Sequence, residues 1–202
     1  TTAISDLDDL TGTGNAYTIT VGTDVVTAAA LNTVNAATTV NVTATAVTQI
    51  TGTAAQLATT YGGGITGLGN EAITVSDTNI TSAQANTIDG YTTGAVTATI
   101  STTAIADLDD LTGTGNAYTI TVADSSVTAA ALNTVNAATT VNVTATAVTA
   151  IGGTAAQLAT TYGGGITGLG NETVTVSDGD VTAANLNTIN AGTSVSVTAT
   201  AV

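Results

Sequence analysis

Short stretches of this chain alternate between apolar and hydroxyl residues. In Thr18-Ile19-Thr20-Val21, Ile19 and Val21 fall on one face of an extended backbone. In Val42-Thr43-Ala44-Thr45-Ala46, Val42, Ala44 and Ala46 share one face and the threonines the other. Eight such runs, bounded by Gly, Asn and Asp, begin near Tyr17, Val40, Ala72, Ala95, Tyr118, Val141, Thr173 and Val195. Their spacing averages about 25 residues, the coil length of solenoid proteins. Between them the pattern turns helical. Gly52-Thr53-Ala54-Ala55-Gln56-Leu57-Ala58-Thr59-Thr60-Tyr61-Gly62 places Thr53 as N-cap, good helix formers behind it and Gly62 as terminator. Thr27-Ala28-Ala29-Ala30-Leu31-Asn32 is a weaker version of the same signal.

The runs belong to a larger repeat. Asp6-Leu7-Asp8-Asp9-Leu10-Thr11-Gly12-Thr13-Gly14-Asn15 returns 101 residues later as Asp107 to Asn116. Leu31 maps to Leu132, Tyr61 to Tyr162, Glu71 to Glu172 and Ile88 to Ile189 at the same offset, without a gap. This reads as two units, 1–101 and 102–202. Within each, Val21–Thr45 aligns with Val75–Thr99 at an offset of 54, so half-repeats alternate between 54 and 47 residues. Thr198-Ala199-Thr200-Ala201-Val202 followed by Thr1-Thr2-Ala3-Ile4 reads like Thr97 to Ile105, as expected of an excerpt from a longer uncapped array.

Strands recurring at fixed spacing with aligned inward positions predict parallel stacking. The expected fold is mainly β: a parallel β-solenoid of about four rungs per 101-residue unit, with short helical segments between strands. At about 4.8 Å per rung, each unit would rise roughly 19 Å. A β-helix without helices is the alternative.

Composition narrows the chemistry. The chain has no Lys, Arg, His, Cys, Met, Trp, Phe or Pro, against 14 acidic residues and a net charge of -14. Without His or Cys it lacks the usual acid–base group near neutral pH, a thiol nucleophile and soft metal ligands. Without Lys or Arg it cannot clamp phosphate or neutralise a nucleic-acid backbone. Its charge repels nucleic acids and anionic membrane surfaces, and no apolar run approaches the length of a membrane span. Abundant Ala, Val, Ile and Leu nevertheless argue against disorder, and small or β-branched side chains suit thin stacked layers. The missing protease-sensitive, nitrogen-rich cations suit a protein made in bulk for export.

Candidate sites all recur with the repeat. The clusters Asp6, Asp8, Asp9 and Asp107, Asp109, Asp110 are the candidate calcium ligands, with Asn15 or glycine carbonyls to complete a shell. Their spacing matches neither an EF-hand nor the nonapeptide calcium repeat, and a solvated acidic turn is the plain alternative. Asn32, Asn35, Asn86, Asp89, Asn133, Asn136, Asn187 and Asn190 predict turns with side-chain ladders. Gly62-Gly63-Gly64-Ile65-Thr66-Gly67 matches the dinucleotide fingerprint in letters alone, since it follows a helix and leads into a strand. Thr-x-Thr pairs at Thr18/Thr20, Thr43/Thr45, Thr97/Thr99, Thr119/Thr121, Thr144/Thr146, Thr173/Thr175 and Thr198/Thr200 resemble the ice-binding arrays of some antifreeze proteins. Outward Thr is also the default on a strand. No feature is singular, as an active site normally is, so no enzyme is expected.

From Leu31 to Leu57 and from Leu132 to Leu158, Leu-Asn-Thr-Val-Asn-Ala leads through Val-Thr-Ala-Thr-Ala-Val to Gly-Thr-Ala-Ala-Gln-Leu. This pattern resembles the tandem repeats of giant secreted cell-surface proteins of marine cyanobacteria and other bacteria. The resemblance implies an extracellular or cell-surface location and no catalytic residues to carry over. The expected function is a structural repeat of an extracellular filament, sheath or surface layer. Its partners would be copies of itself, associated axially or laterally, with no nucleic acid, membrane insertion or small-molecule substrate. A calcium-rigidified adhesin stalk is the rival, and ice binding a minor one.

Overall fold

The computed structural model describes residues 2–22, 25–179 and 181–199. The chain divides into two compact units, Thr1–Ala98 and Thr99–Val202. The division falls three residues before the 101/102 boundary of the sequence repeat. The N–H of Ile100 donates to the carbonyl of Thr119 at 3.0 Å, which ties this stretch to the second unit.

Unit 1 contains α1 (Ile4–Leu7), β1 (Val25–Thr27), α2 (Ala28–Ala36), β2 (Val42–Thr43), β3 (Gln49–Gly52), α3 (Ala54–Tyr61), β4 (Ile65–Thr66), β5 (Ala72–Val75) and α4 (Ser82–Asp89), with β6 (Val96–Thr99) at the boundary. Unit 2 contains α5 (Ile105–Leu108), β7 (Ala117–Thr119), β8 (Ser126–Thr128), α6 (Ala129–Ala137), β9 (Val143–Thr144), β10 (Ala150–Gly153), α7 (Ala155–Tyr162), β11 (Ile166–Thr167), β12 (Thr173–Val176), α8 (Ala183–Gly192) and β13 (Val197–Ala199).

In unit 1, β1, β3, β5 and β6 are parallel neighbours in chain order, with Val26, Ile50, Ile73 and Val96 in one register. All four side chains are buried, so a single column of β-branched residues forms the sheet side of the core. Steps of 24, 23 and 23 residues separate them. A parallel step needs a crossover of a dozen residues or more, and here a helix supplies it. After α2, α3, α6 and α7 the chain adds two residues to a smaller parallel sheet of its unit: β2 pairs with β4, and β9 with β11. Leu31, Val34, Leu57, Ala85 and Ile88 turn the helices' apolar side inward. Unit 2 repeats the scheme with β8, β10, β12 and β13, and Val127, Ile151 and Val174 buried.

This corrects the expectation of a mainly β parallel solenoid. The protein is an α/β fold with parallel sheets and, among the described residues, eight helices, about 31% helical and 26% strand. The helices are longer than the sequence signals and the strands shorter. Thr27, Thr53, Thr81, Thr128, Thr154 and Thr182 each cap a helix of 8 to 10 residues by accepting from a backbone N–H of its first turn. Thr53/Gln56, Thr81/Gln84 and Thr154/Gln157 complete reciprocal capping boxes. The alternating run Val42–Ala46 yields only two strand residues because the chain turns at once, Val47 N–H donating to Ala44 at 3.1 Å. The run from Tyr17 to Val21 contributes isolated bridges, including Thr20 to Thr43, and no named strand.

The helix-to-strand reversal after α3 depends on glycine. Gly64 has φ +82, and a Cβ there would lie 2.4 Å from Asn35 Oδ1, so both conformation and space exclude a side chain.

Candidate functional site

The acidic clusters lie on the shortest helices. Asp6 is in the single turn of α1, Asp8 is its C-cap and Asp9 follows; Asp107, Asp109 and Asp110 repeat this at α5. All six are exposed. At 3.6 residues per turn, side chains two positions apart diverge by roughly 200°, so the carboxylates fan outward. Among the described residues no group of three or more Asp or Glu side chains could hold a metal ion. Asp6, Asp8 and Asp9, and Asp107, Asp109 and Asp110, are thus not gathered into such a group. The carbonyl of Asn15 instead accepts from Thr39 N–H at 2.7 Å.

The Thr-x-Thr pairs do not form one array. Thr20 bridges to Thr43, and Thr121 to Thr144, in the smaller sheets. Thr97/Thr99 and Thr173/Thr175 belong to the principal sheets, and Thr200 lies outside the described residues. In unit 1 the register does align one column, Thr27, Thr51, Thr74 and Thr97. Its neighbour two residues back reads Val25, Gln49, Ala72, and the corresponding column of unit 2 is broken by Gly152. A two-column hydroxyl lattice is absent from these registers.

The Asn positions expected in turns are helical. Asn32 and Asn35 are in α2, Asn86 and Asp89 in α4, Asn133 and Asn136 in α6, and Asn187 and Asn190 in α8. Asn32 Nδ2 donates to the carbonyl of Gln56 at 3.0 Å and its Oδ1 accepts from Thr60 Oγ1 at 2.9 Å, bridging α2 to α3. Asn133, Gln157 and Thr161 repeat the bridge at 2.9 Å for each bond. Other acidic residues cap helices of the preceding layer. Asp77 accepts from Ala54 N–H at 2.7 Å, Asp178 from Ala155 at 2.8 Å and Asp124 from Ile105 at 2.6 Å. A carboxylate at a helix N-terminus is favoured by both the free N–H groups and the dipole. The glycine run 62–64 is a turn into β4, with Gly63, Gly64 and, just past the strand, Gly67 at positive φ.

The most enclosed chemistry is elsewhere. Glu71 is 1% exposed and Glu172 fully buried. Glu71 Oε2 accepts from the N–H groups of Gly69 and Asn70 at 2.8 and 3.1 Å, and Oε1 from the Tyr61 hydroxyl. Glu172 accepts from Gly170 and Asn171 at 2.7 and 3.0 Å and from the Tyr162 hydroxyl. Each carboxylate closes its own preceding loop and pins the end of α3 or α7. Burial first, then the hydrogen bond and charge of the glutamate, push both tyrosine hydroxyls well above the ordinary tyrosine range. The units differ on the far side of the ring. Tyr61 stacks on Tyr91 at 4.8 Å and 8°. In unit 2 the equivalent residue is Gly192, and a Cβ there would come within 2.3 Å of Tyr162.

Sequence reading missed this pair, although a signal existed. Glu71 and Glu172 are the only glutamates in the chain, each closes a Gly-Leu-Gly-Asn-Glu motif, and each follows a tyrosine by ten residues. A buried carboxylate beside a tyrosine has the parts of an acid–base pair, but its oxygens are committed to backbone N–H groups. A hollow of about 520 Å³ in unit 2 is a groove lined in part by Ala150 and Gly152; Asp109 is its sole carboxylate. It offers no carboxylate pair for glycoside hydrolysis. Among the described residues no helix is long and apolar enough to cross a membrane.

No protein-family model, curated protein or solved structure matches this chain.

Proposed function

We propose that the chain is a structural repeat of an extracellular filament, sheath or surface layer, that its partners are copies of itself, and that it is not an enzyme. One observation carries this reading: the enclosed polar side chains are spent on holding backbone, at equivalent places in both units. Glu71 and Glu172 close loops, Asp77 and Asp178 cap helices, and Asn32 and Asn133 tie helix to helix. A catalytic group needs a free lone pair or proton facing a substrate; these face the protein's own amides. The composition and the resemblance of the Leu31–Leu57 pattern to secreted surface repeats support the location.

The test is immunogold labelling of source cells with antibodies raised against the purified chain. Label confined to surface layers or released filaments is the expected result. Label confined to the cell interior would overturn the reading.

A further inference from the structure

Between residues 25–71 and 126–172 the two units are identical except at three pairs: Val25/Ser126, Gln49/Ala150 and Thr51/Gly152. All three fall on the face of the principal sheet that points away from the core, since the adjacent Val26, Ile50, Val127 and Ile151 are buried in it. They are neighbours on that face. Val25 pairs with Gln49 and Ser126 with Ala150, and Thr51 and Gly152 lie two residues further along the same strands. Each change runs the same way, from a larger side chain in unit 1 to a smaller one in unit 2.

In unit 1 this face is occupied. Gln49 Nε2 donates to Thr74 Oγ1 of the next strand at 3.4 Å, and Thr74 is half-buried. In unit 2, Ser126, Ala150 and Gly152 line the hollow of about 520 Å³ together with Ile105, Asp109 and Thr175, and Thr175, the equivalent of Thr74, is exposed. Nothing inside the fold calls for the glycine. A Cβ at Gly152 would meet no atom within 4 Å, its φ is outside the left-handed region, and unit 1 carries threonine at the same place. A glycine in a strand interior weakens the strand, and where neither packing nor conformation requires it, it marks close approach by something from outside.

The side chains that unit 1 places here indicate the chemistry for which unit 2 leaves room. Those withdrawn are a carboxamide, a hydroxyl and methyl groups. An N-acetylated amino sugar brings all three, in its acetamido group and ring hydroxyls. We propose that the hollow of unit 2 binds an uncharged acetamido sugar. The acetamido N–H donates to Thr175 as Gln49 does to Thr74, the sugar lies over Ala150 and Gly152, and its hydroxyls donate to Asp109. Acidic sugars are excluded, because they would meet the Asp109 carboxylate with no Lys or Arg in the chain to pair with. The site lies wholly within unit 2 and does not depend on self-association, so its failure would leave the structural-repeat reading untouched.

The test is two-dimensional NMR of the isotope-labelled full chain titrated with N-acetylglucosamine, its β-linked trimer, glucose and N-acetylglutamine amide. The backbone amides of Ala150, Gly152 and Thr175 are expected to shift with the acetamido sugars while those of Gln49, Thr51 and Thr74 stay, and glucose should bind at least about tenfold more weakly. Ala150→Gln/Gly152→Thr restores the side chains of unit 1 on a backbone that already accepts them there, and should abolish the response with the rest of the spectrum unchanged. The reciprocal Val25→Ser/Gln49→Ala/Thr51→Gly should open a second site, seen as new shifts at residues 49, 51 and 74. Tighter binding of the trimer than of the monomer assigns the ligand to a glycan chain, and equal binding to the free sugar. No shift at residues 150, 152 and 175, an equal response to glucose, a preference for N-acetylglutamine amide as a peptide carboxamide, a response that survives the filled groove, or a reciprocal variant without the second site would overturn the proposal.

Discussion

At the scale of single residues, the account turns on Glu71 and Glu172. Replacing Glu71 with Ala leaves the N–H groups of Gly69 and Asn70 without the buried carboxylate that accepts from them. A loss of about 1–3 kcal/mol is expected in urea unfolding, and a smaller loss for Glu71→Gln, which keeps one acceptor oxygen. An unchanged midpoint for Glu71→Ala would remove the loop-closing role. The tyrosines give a pH dependence with a fixed sign. Their hydroxyls are raised above the ordinary value of 10.0 in the folded state, so folding favours the protonated phenol. That stabilisation is present in full below about pH 10 and is lost as pH rises further through the folded value. Thermal unfolding between pH 9 and pH 12 should therefore show a falling midpoint that flattens in Tyr61→Phe/Tyr162→Phe.

At the scale of elements, much was legible and some was not. Helix α3 begins behind Thr53 and ends at Gly62 as its cap residues indicate, and the glycine run is a turn. The parallel alignment of repeated apolar positions is present as the Val26, Ile50, Ile73, Val96 register. The length of α2 and α6 was not legible, because Asn and Thr favour turns and compete for backbone bonds. Here Asn32 and Asn133 face neighbouring helices, and tertiary hydrogen bonds override propensity. Strands β1, β3, β8 and β10 escaped notice because three or four residues leave almost no alternation to detect. Missing those strands and shortening those helices together turned an α/β fold into an expected β one. Thr53→Ala removes one capping box and should cost about 1 kcal/mol in urea unfolding. Gly64→Ala should cost more, since the positive φ alone carries about 1–2 kcal/mol before the collision with Asn35; a neutral result would contradict the turn geometry.

At the scale of the whole molecule, the most enclosed chemistry lies at the buried glutamates, away from the acidic turns. The exposed Asp clusters stand on one-turn helices that scatter their carboxylates. Their charge is solvated and contributes to solubility and mutual repulsion. The open hollows, including the one of about 520 Å³ in unit 2, lack convergent titratable groups among their lining residues. The measurement that tests the account most directly is electron microscopy of the native material before and after stripping divalent cations with a chelator. Uniform filaments or sheets that survive chelation unchanged are the predicted result. Single thin stalks that soften or collapse without calcium would contradict it, and would make metal sites of Asp6, Asp8, Asp9, Asp107, Asp109 and Asp110 after all.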